Sequence, residues 1–132
     1  MKQRRKRDCA VAAWATVNGI SYQAAKTQLQ QACQDPVNGV PDSVLRLLVG
    51  QTFGKVVWPR NGTQDNYPIL QTWSQWLAEH QTGRYLVSVY GLDLAQDKHC
   101  VAVVDGRCND SCVCGPQQVD WYAERGTPCK TS

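Results

Sequence analysis

From Asp8 to Gly19 the chain reads Asp-Cys-Ala-Val-Ala-Ala-Trp-Ala-Thr-Val-Asn-Gly, apolar at almost every position. Alanine favours helix, Asp8 offers an N-cap and Asn18-Gly19 a stop. A helix that is apolar all round is a buried helix. Ser21 caps a second helix, with Tyr22, Ala25, Leu29, Ala32 and Cys33 spaced for one face. Asp35-Pro36 breaks it, and Asn38-Gly39 turns the chain. A third, short helix is expected from Asp42, carrying Val44, Leu45, Leu47 and Leu48 as far as Gly50. Val56-Val57-Trp58 suits a short strand and Asn61-Gly62-Thr63 a turn. Pro68 fits the first turn of a fourth helix, with Ile69, Leu70, Trp73, Trp76 and Leu77 at helical spacing and Gly83 beyond its end.

The period then changes. Tyr85–Tyr90 and Cys100–Val104 are β-rich apolar runs, and Val113 and Gln117–Tyr122 suggest further strand. Asp105-Gly106, between two runs, predicts a two-residue hairpin loop. Helices come first and strands after, without βαβ alternation. That order predicts an α+β domain, its N-terminal helices packed on a C-terminal antiparallel sheet. The 132 residues suit one domain, 1–132.

Composition narrows the class. With 42% apolar and 19% charged residues, the chain is neither a disordered acidic segment nor a fibre. The net charge of +3 is concentrated at the start. Lys2, Arg4, Arg5, Lys6 and Arg7 supply five of fourteen basic groups, leaving nine against eleven acidic ones. A basic run without interleaved aromatics on a slightly acidic body is a thin footprint, so nucleic acid is not expected as a partner. No window has the length of a membrane span, and no apolar run suits a signal peptide. A cytoplasmic protein without membrane association is expected, in which thiols stay reduced. Seven cysteines then point to metal binding, catalysis or packing, and an odd number leaves at least one outside any disulfide set.

Cys9 falls in the first turn of the buried helix, where orphan N–H groups and the helix dipole favour thiolate. The basic run pushes the same way if it faces the thiol, and Asp8 pushes against. A buried packing cysteine is the alternative. A thiol nucleophile needs a base, and the chain has two histidines. His80 ends the fourth helix, where it suits terminal carbonyls. His99 opens a strand. With Asp105-Gly106 as a two-residue loop, Val104 faces Arg107, Val101 faces Asp110 and His99 faces Cys112. Asp110 then shares a face with His99, one pair away on the diagonal. Asp105 lies at the far end of the hairpin, roughly 20 Å off at about 3.3 Å per residue. A β-bulge would give the orienting role to Asn109 instead.

Asp8-Cys9-Ala10-Val11-Ala12-Ala13 at a helix start, followed late by the His99–Gly106 hairpin, resembles the papain-like cysteine peptidases. Within them it is most similar to the branch of the bacteriocin-processing (double-glycine) peptidases. Ile20–Ala25, Gly39–Leu45 and Gly83–Val89 resemble that branch in corresponding order, so the likeness runs over about residues 3 to 110. It implies a central buried helix begun by the nucleophile Cys9, with His99 as base and then acid, and Asp110 orienting the imidazole. It also implies that Gln3, six residues before Cys9, donates to the oxyanion. Ser111 stands where relatives often carry proline. The implied activity is hydrolysis of peptide or isopeptide bonds in a polypeptide substrate, with no cofactor.

Two rivals remain. Cys108, Cys112 and Cys114 share parity and His99 faces Cys112, a set that suggests a zinc-stabilised binding module. No Cys-x-x-Cys pair supports it, and same-face neighbours on one strand rarely converge tetrahedrally. Cys112 as nucleophile would lack a helix terminus. The other rival is a peptide-binding module that keeps the fold without turnover. Of five tryptophans, Trp73 and Trp76 suit a helix core, while Trp14, Trp58 and Trp121 either line a cleft or pack.

Overall fold

The computed structural model describes residues 8–91, 98–109, 113 and 115–126. Among them four helices and two antiparallel sheets make an α+β architecture. Helix α1 spans Cys9–Asn18, α2 Tyr22–Gln30, α3 Asp42–Thr52 and α4 Trp73–Glu79. A single 3-10 turn, Pro36–Asn38, joins α2 to α3. Strands β1 (Arg60–Gln64) and β2 (Tyr67–Leu70) form a separate hairpin. The main sheet comprises β3 (Arg84–Tyr90), β4 (Lys98–Val104), β5 (Arg107–Cys108) and β6 (Val119–Arg125), in the order β5-β4-β3-β6. No described helix is long and apolar enough to cross a membrane.

Alternation along the strands builds a core on each face of this sheet. On one face Leu86, Cys100, Ala102, Trp121 and Ala123 meet α1, Ala25 and Leu29 of α2, and Leu45 and Val49 of α3. On the other, Tyr85, Val87, Val89, Val101, Val103 and Val119 meet Trp73 and Trp76 of α4. Helix α1 is buried along nearly its whole length, as its composition dictates, and Gly19 closes it in the left-handed conformation. Trp14 packs against Phe53 and Trp121 is fully buried, whereas Trp58 is exposed.

The Asp105-Gly106 loop is present. Both residues have positive φ, at 49° and 81°, and Val104 pairs with Arg107 and Val103 with Cys108. At the next step the ladder changes. Asn109 donates its N–H to the Ala102 carbonyl, but the Ala102 N–H donates at 2.8 Å to the Asn109 side-chain Oδ1. Asn109 thus substitutes an amide oxygen for its main-chain carbonyl as the chain leaves the sheet.

Several expectations are corrected. Asp8 occupies the N-cap position, but its side chain makes no capping bond; the buried Tyr22 hydroxyl donates to its carboxylate at 2.6 Å. Residues 60–70 form a hairpin rather than a turn and a helix start, so strands precede the last helix. Asp65 and Asn66, both at positive φ, make its tight turn, and Pro68, Ile69 and Leu70 belong to β2. Helix α4 begins instead at Trp73, where Thr72 and Gln75 form a reciprocal capping box. Helix α2 stops at Gln30, leaving Ala32 and Cys33 beyond it, and Val57 makes one bridge to Tyr122 rather than a strand.

Candidate active site

Cys9 opens α1, whose first intrahelical bond runs from the Ala12 N–H to the Asp8 carbonyl at 3.1 Å. Its own N–H therefore belongs to the unpaired first turn of the ladder. The thiol is half-buried against the core on the α1 face of the sheet and borders a cleft of about 500 Å³. Asn38, Gly39 and Val40 form one wall, Asp42 and Leu45 of α3 another, and Ser88, Lys98, His99 and Cys100 the sheet side. Gly39 sits at φ 120°, a conformation few side chains allow, and its carbonyl accepts from the Cys33 thiol at 3.7 Å. Cys33 therefore steadies the cleft wall.

The structure thus brings Cys9 and His99 to one cleft. Alternation along β4 sends Cys100 and Ala102 under α1 and Val101 and Val103 to the opposite core. His99 has the parity of Val101 and stands at the start of the strand, beside Lys98. Cys100 is the β4 side chain directly beneath the helix. Burial pushes its thiol well up, and the neighbouring Cys9 charge adds to that. Gln3 and Asp110, with Cys112, Cys114 and Cys129, lie outside the described residues. Asn109 is committed to the Ala102 N–H, so its amide oxygen already serves the hairpin.

His80 belongs elsewhere. Its Nδ1–H donates at 2.6 Å to the Trp76 carbonyl, and its ring stacks on the Trp76 indole at 4.3 Å. Tyr85 and Tyr122 meet it edge-on. This histidine borders a second cleft of about 450 Å³ with Arg60, Gln71 and Glu79, on the α4 side of the sheet. It fills the helix-end role expected of it.

Sequence reasoning missed the charged floor beside Cys9. Asp42 was legible only as a helix start, yet four groups converge on its carboxylate. The Trp121 Nε1–H donates to Oδ1 at 2.9 Å and the Ser88 hydroxyl to the same oxygen at 3.4 Å. Arg46 and Lys98 reach Oδ2 at 2.9 and 3.3 Å. A register shift between Ser88 and Val89 makes Asp120 the extra residue of a β-bulge. Its buried carboxylate meets Lys98 at 2.8 Å and Arg60 at 3.5 Å, and accepts from the Tyr90 hydroxyl at 3.1 Å. Lys98 is therefore clamped between two carboxylates, which hold its ammonium above the usual lysine range despite partial burial. The local sequence signal was the Asp42–Arg46 pair at helical spacing; Ser88, Lys98 and Trp121, the other partners of Asp42, are distant in the chain.

Burial raises the Asp42 carboxyl, but the Trp121 hydrogen bond, the Lys98 charge and Arg46 outweigh it and leave the group below its ordinary value. Such a group binds its proton more weakly folded than unfolded. Its stabilisation is present above the unfolded value near 4 and is lost as pH falls through the folded one. Asp42→Asn is expected to cost about 1–2 kcal/mol at pH 7, the lower range for charge-assisted hydrogen bonds because solvent reaches the site. Urea unfolding at pH 7 and pH 3 should show that difference shrinking at the lower pH. A constant difference would mean that the ionised carboxylate is not what stabilises the floor.

Among the described residues no group of three His, Cys, Asp or Glu side chains is arranged to hold a metal ion. Compared with known proteins, the chain matches no family model, no curated protein and no solved structure.

Proposed function

We propose that the chain is a papain-like thiol hydrolase that cleaves peptide or isopeptide bonds of a polypeptide. The observation that carries this reading is the convergence of Cys9, at the N-terminus of a buried helix, with His99 on one open cleft. In the proposed reaction His99 takes the Cys9 proton as the sulfur attacks the carbonyl carbon. The resulting oxyanion meets the Cys9 backbone N–H, an unpaired first-turn donor, and the Gln3 side-chain amide. His99 then returns the proton to the leaving amine, and water releases the acyl group by the same steps in reverse. Asp110 holds the imidazole.

The reading requires the His99 ring to turn round the start of β4 toward the helix, since the parity of the strand alone would direct it away. Lys98 on the sheet side and Asp42 on α3 neutralise one another, so an extended backbone in the cleft would meet small residues, Ala10, Gly39 and Cys100, rather than a net charge.

Alkylation by iodoacetamide at pH 7, mapped by peptide mass, tests the pairing. Cys9 is expected to label first, and His99→Ala to slow that labelling at least tenfold while leaving Cys33 and Cys108 unchanged. Preferred labelling of Cys112, or indifference of Cys9 to the His99 substitution, would overturn the proposal.

A further inference from the structure

Four described cysteines are thiols: Cys9, Cys33, Cys100 and Cys108. Cys33 is engaged with the Gly39 carbonyl, and Cys108 packs against the core on the α4 face. Cys9 and Cys100 remain, and they share a cleft and a core cluster. Helix α1 packs against β4, and the core cluster they share includes small side chains on both, Ala10 and Ala13 on the helix and Cys100 and Ala102 on the strand. Small residues let the two backbones approach, as a bridge between them demands. No step of the proposed hydrolysis uses the Cys100 thiol, a buried group beside a half-buried one.

We propose that Cys9 and Cys100 are a peroxide-sensitive pair that closes into a reversible disulfide across the α1–β4 contact. The oxidant is a hydroperoxide, which enters through the cleft and meets Cys9. The Cys9 sulfur attacks the distal peroxide oxygen, the O–O bond breaks, and hydroxide or an alkoxide leaves. Cys9 is then a sulfenic acid. The Cys100 sulfur attacks that sulfur, the S–O bond breaks, and water departs with the Cys100 proton. Two thiols have been oxidised by two electrons and the peroxide reduced by two. The order follows from the setting: Cys100 is buried at the base of the cleft, with its thiol pushed up by burial, while Cys9 is the more exposed of the two, so Cys100 acts second, as the resolving thiol.

The consequence for activity rests on Cys9 being the nucleophile, because a bridged Cys9 cannot attack a substrate. Formation of the bridge does not rest on it. The full chain, reduced and then exposed to hydrogen peroxide, is digested without reductant and mapped by mass spectrometry. A linked Cys9–Cys100 peptide is expected, about 2 Da lighter than the two reduced peptides together, with both thiols returned by dithiothreitol. In Cys100→Ala, Cys9 should instead advance to the sulfinic acid, a gain of about 32 Da that dithiothreitol does not reverse. Cys9 linked to another cysteine, or sulfinic Cys9 in the wild-type chain to the same extent as in Cys100→Ala, would overturn the pair. Should the variant fail to fold, the wild-type map decides alone. A linked peptide in a chain that hydrolyses nothing would leave the pair standing and remove only the hydrolase.

Discussion

Cys9→Ala is expected to abolish hydrolysis of fluorogenic peptide esters and amides, with a loss on the order of 10⁴ or more in kcat. The size of the loss follows from what the substitution removes. In thiol acyl transfer every turnover passes through a bond to the nucleophile's sulfur, and the remaining groups supply only binding and oxyanion contacts. Stability should change little. Cys9 is half-buried at a helix end, alanine is the best helix former, and among the described residues the thiol makes no hydrogen bond that the helix needs. A thermal midpoint within a few degrees of wild type, alongside lost turnover, separates a chemical role from a structural one. Cys33→Ala, which loosens the Gly39 wall, should reduce activity less, because it alters the shape of the cleft and leaves its chemistry intact.

The largest expected effect on stability lies on the opposite face of the sheet. Trp76 is fully buried, stacked on Trp73 at 5.6 Å and on His80 at 4.3 Å, and meets Tyr85 and Tyr122 edge-on. Trp76→Ala should cost about 3–5 kcal/mol, as large-to-small substitutions at filled aromatic sites do. Against a usual total of about 5–15 kcal/mol, that is enough to leave part of the population unfolded. Trp76→Phe should cost markedly less. It keeps ring packing and removes a buried indole N–H that has no hydrogen-bond partner among the described residues. Urea denaturation of both variants checks the ranking. Equal losses would mean that the indole N–H is satisfied in solution.

These two sites also mark what the sequence made legible. Helix α1 could be read from its residues because local preference and burial agree: alanines throughout, Asn18-Gly19 at the end, and no polar face. The Asp105-Gly106 turn was legible because its two positive-φ positions carry residues that tolerate them. Asp8 misled for the opposite reason. It has the chemistry of a cap, but a hydroxyl fourteen residues away, on Tyr22, holds its carboxylate in the core. The β1–β2 hairpin was hidden because Arg60–Gln64 shows no alternation and is mostly exposed, while Pro68 imitates a helix start. The true start was nonetheless written in Thr72 and Gln75, three apart and interleaved with Trp73 and Trp76.

For the candidate site, position in the chain located Cys9 and His99, and the fold sets both on one cleft. Register predicted from the hairpin matched as far as Cys108, where Asn109 ends the ladder. The Asp42–Lys98–Asp120 floor was beyond reach from sequence. It depends on a bulge in β6 and on ion pairs between residues 22 and 56 positions apart, which no local pattern encodes.

The most direct measurement is a crystal structure of the full chain trapped by an electrophilic peptide, such as a peptidyl vinyl sulfone. A thioether to the Cys9 Sγ is predicted, with the peptide lying between Gly39 and Cys100, the His99 imidazole turned to the sulfur, and Asp110 against its far nitrogen. Attachment to another cysteine, or a modified Cys9 with the His99 ring directed to the Val101 face of the sheet, would contradict the proposed chemistry.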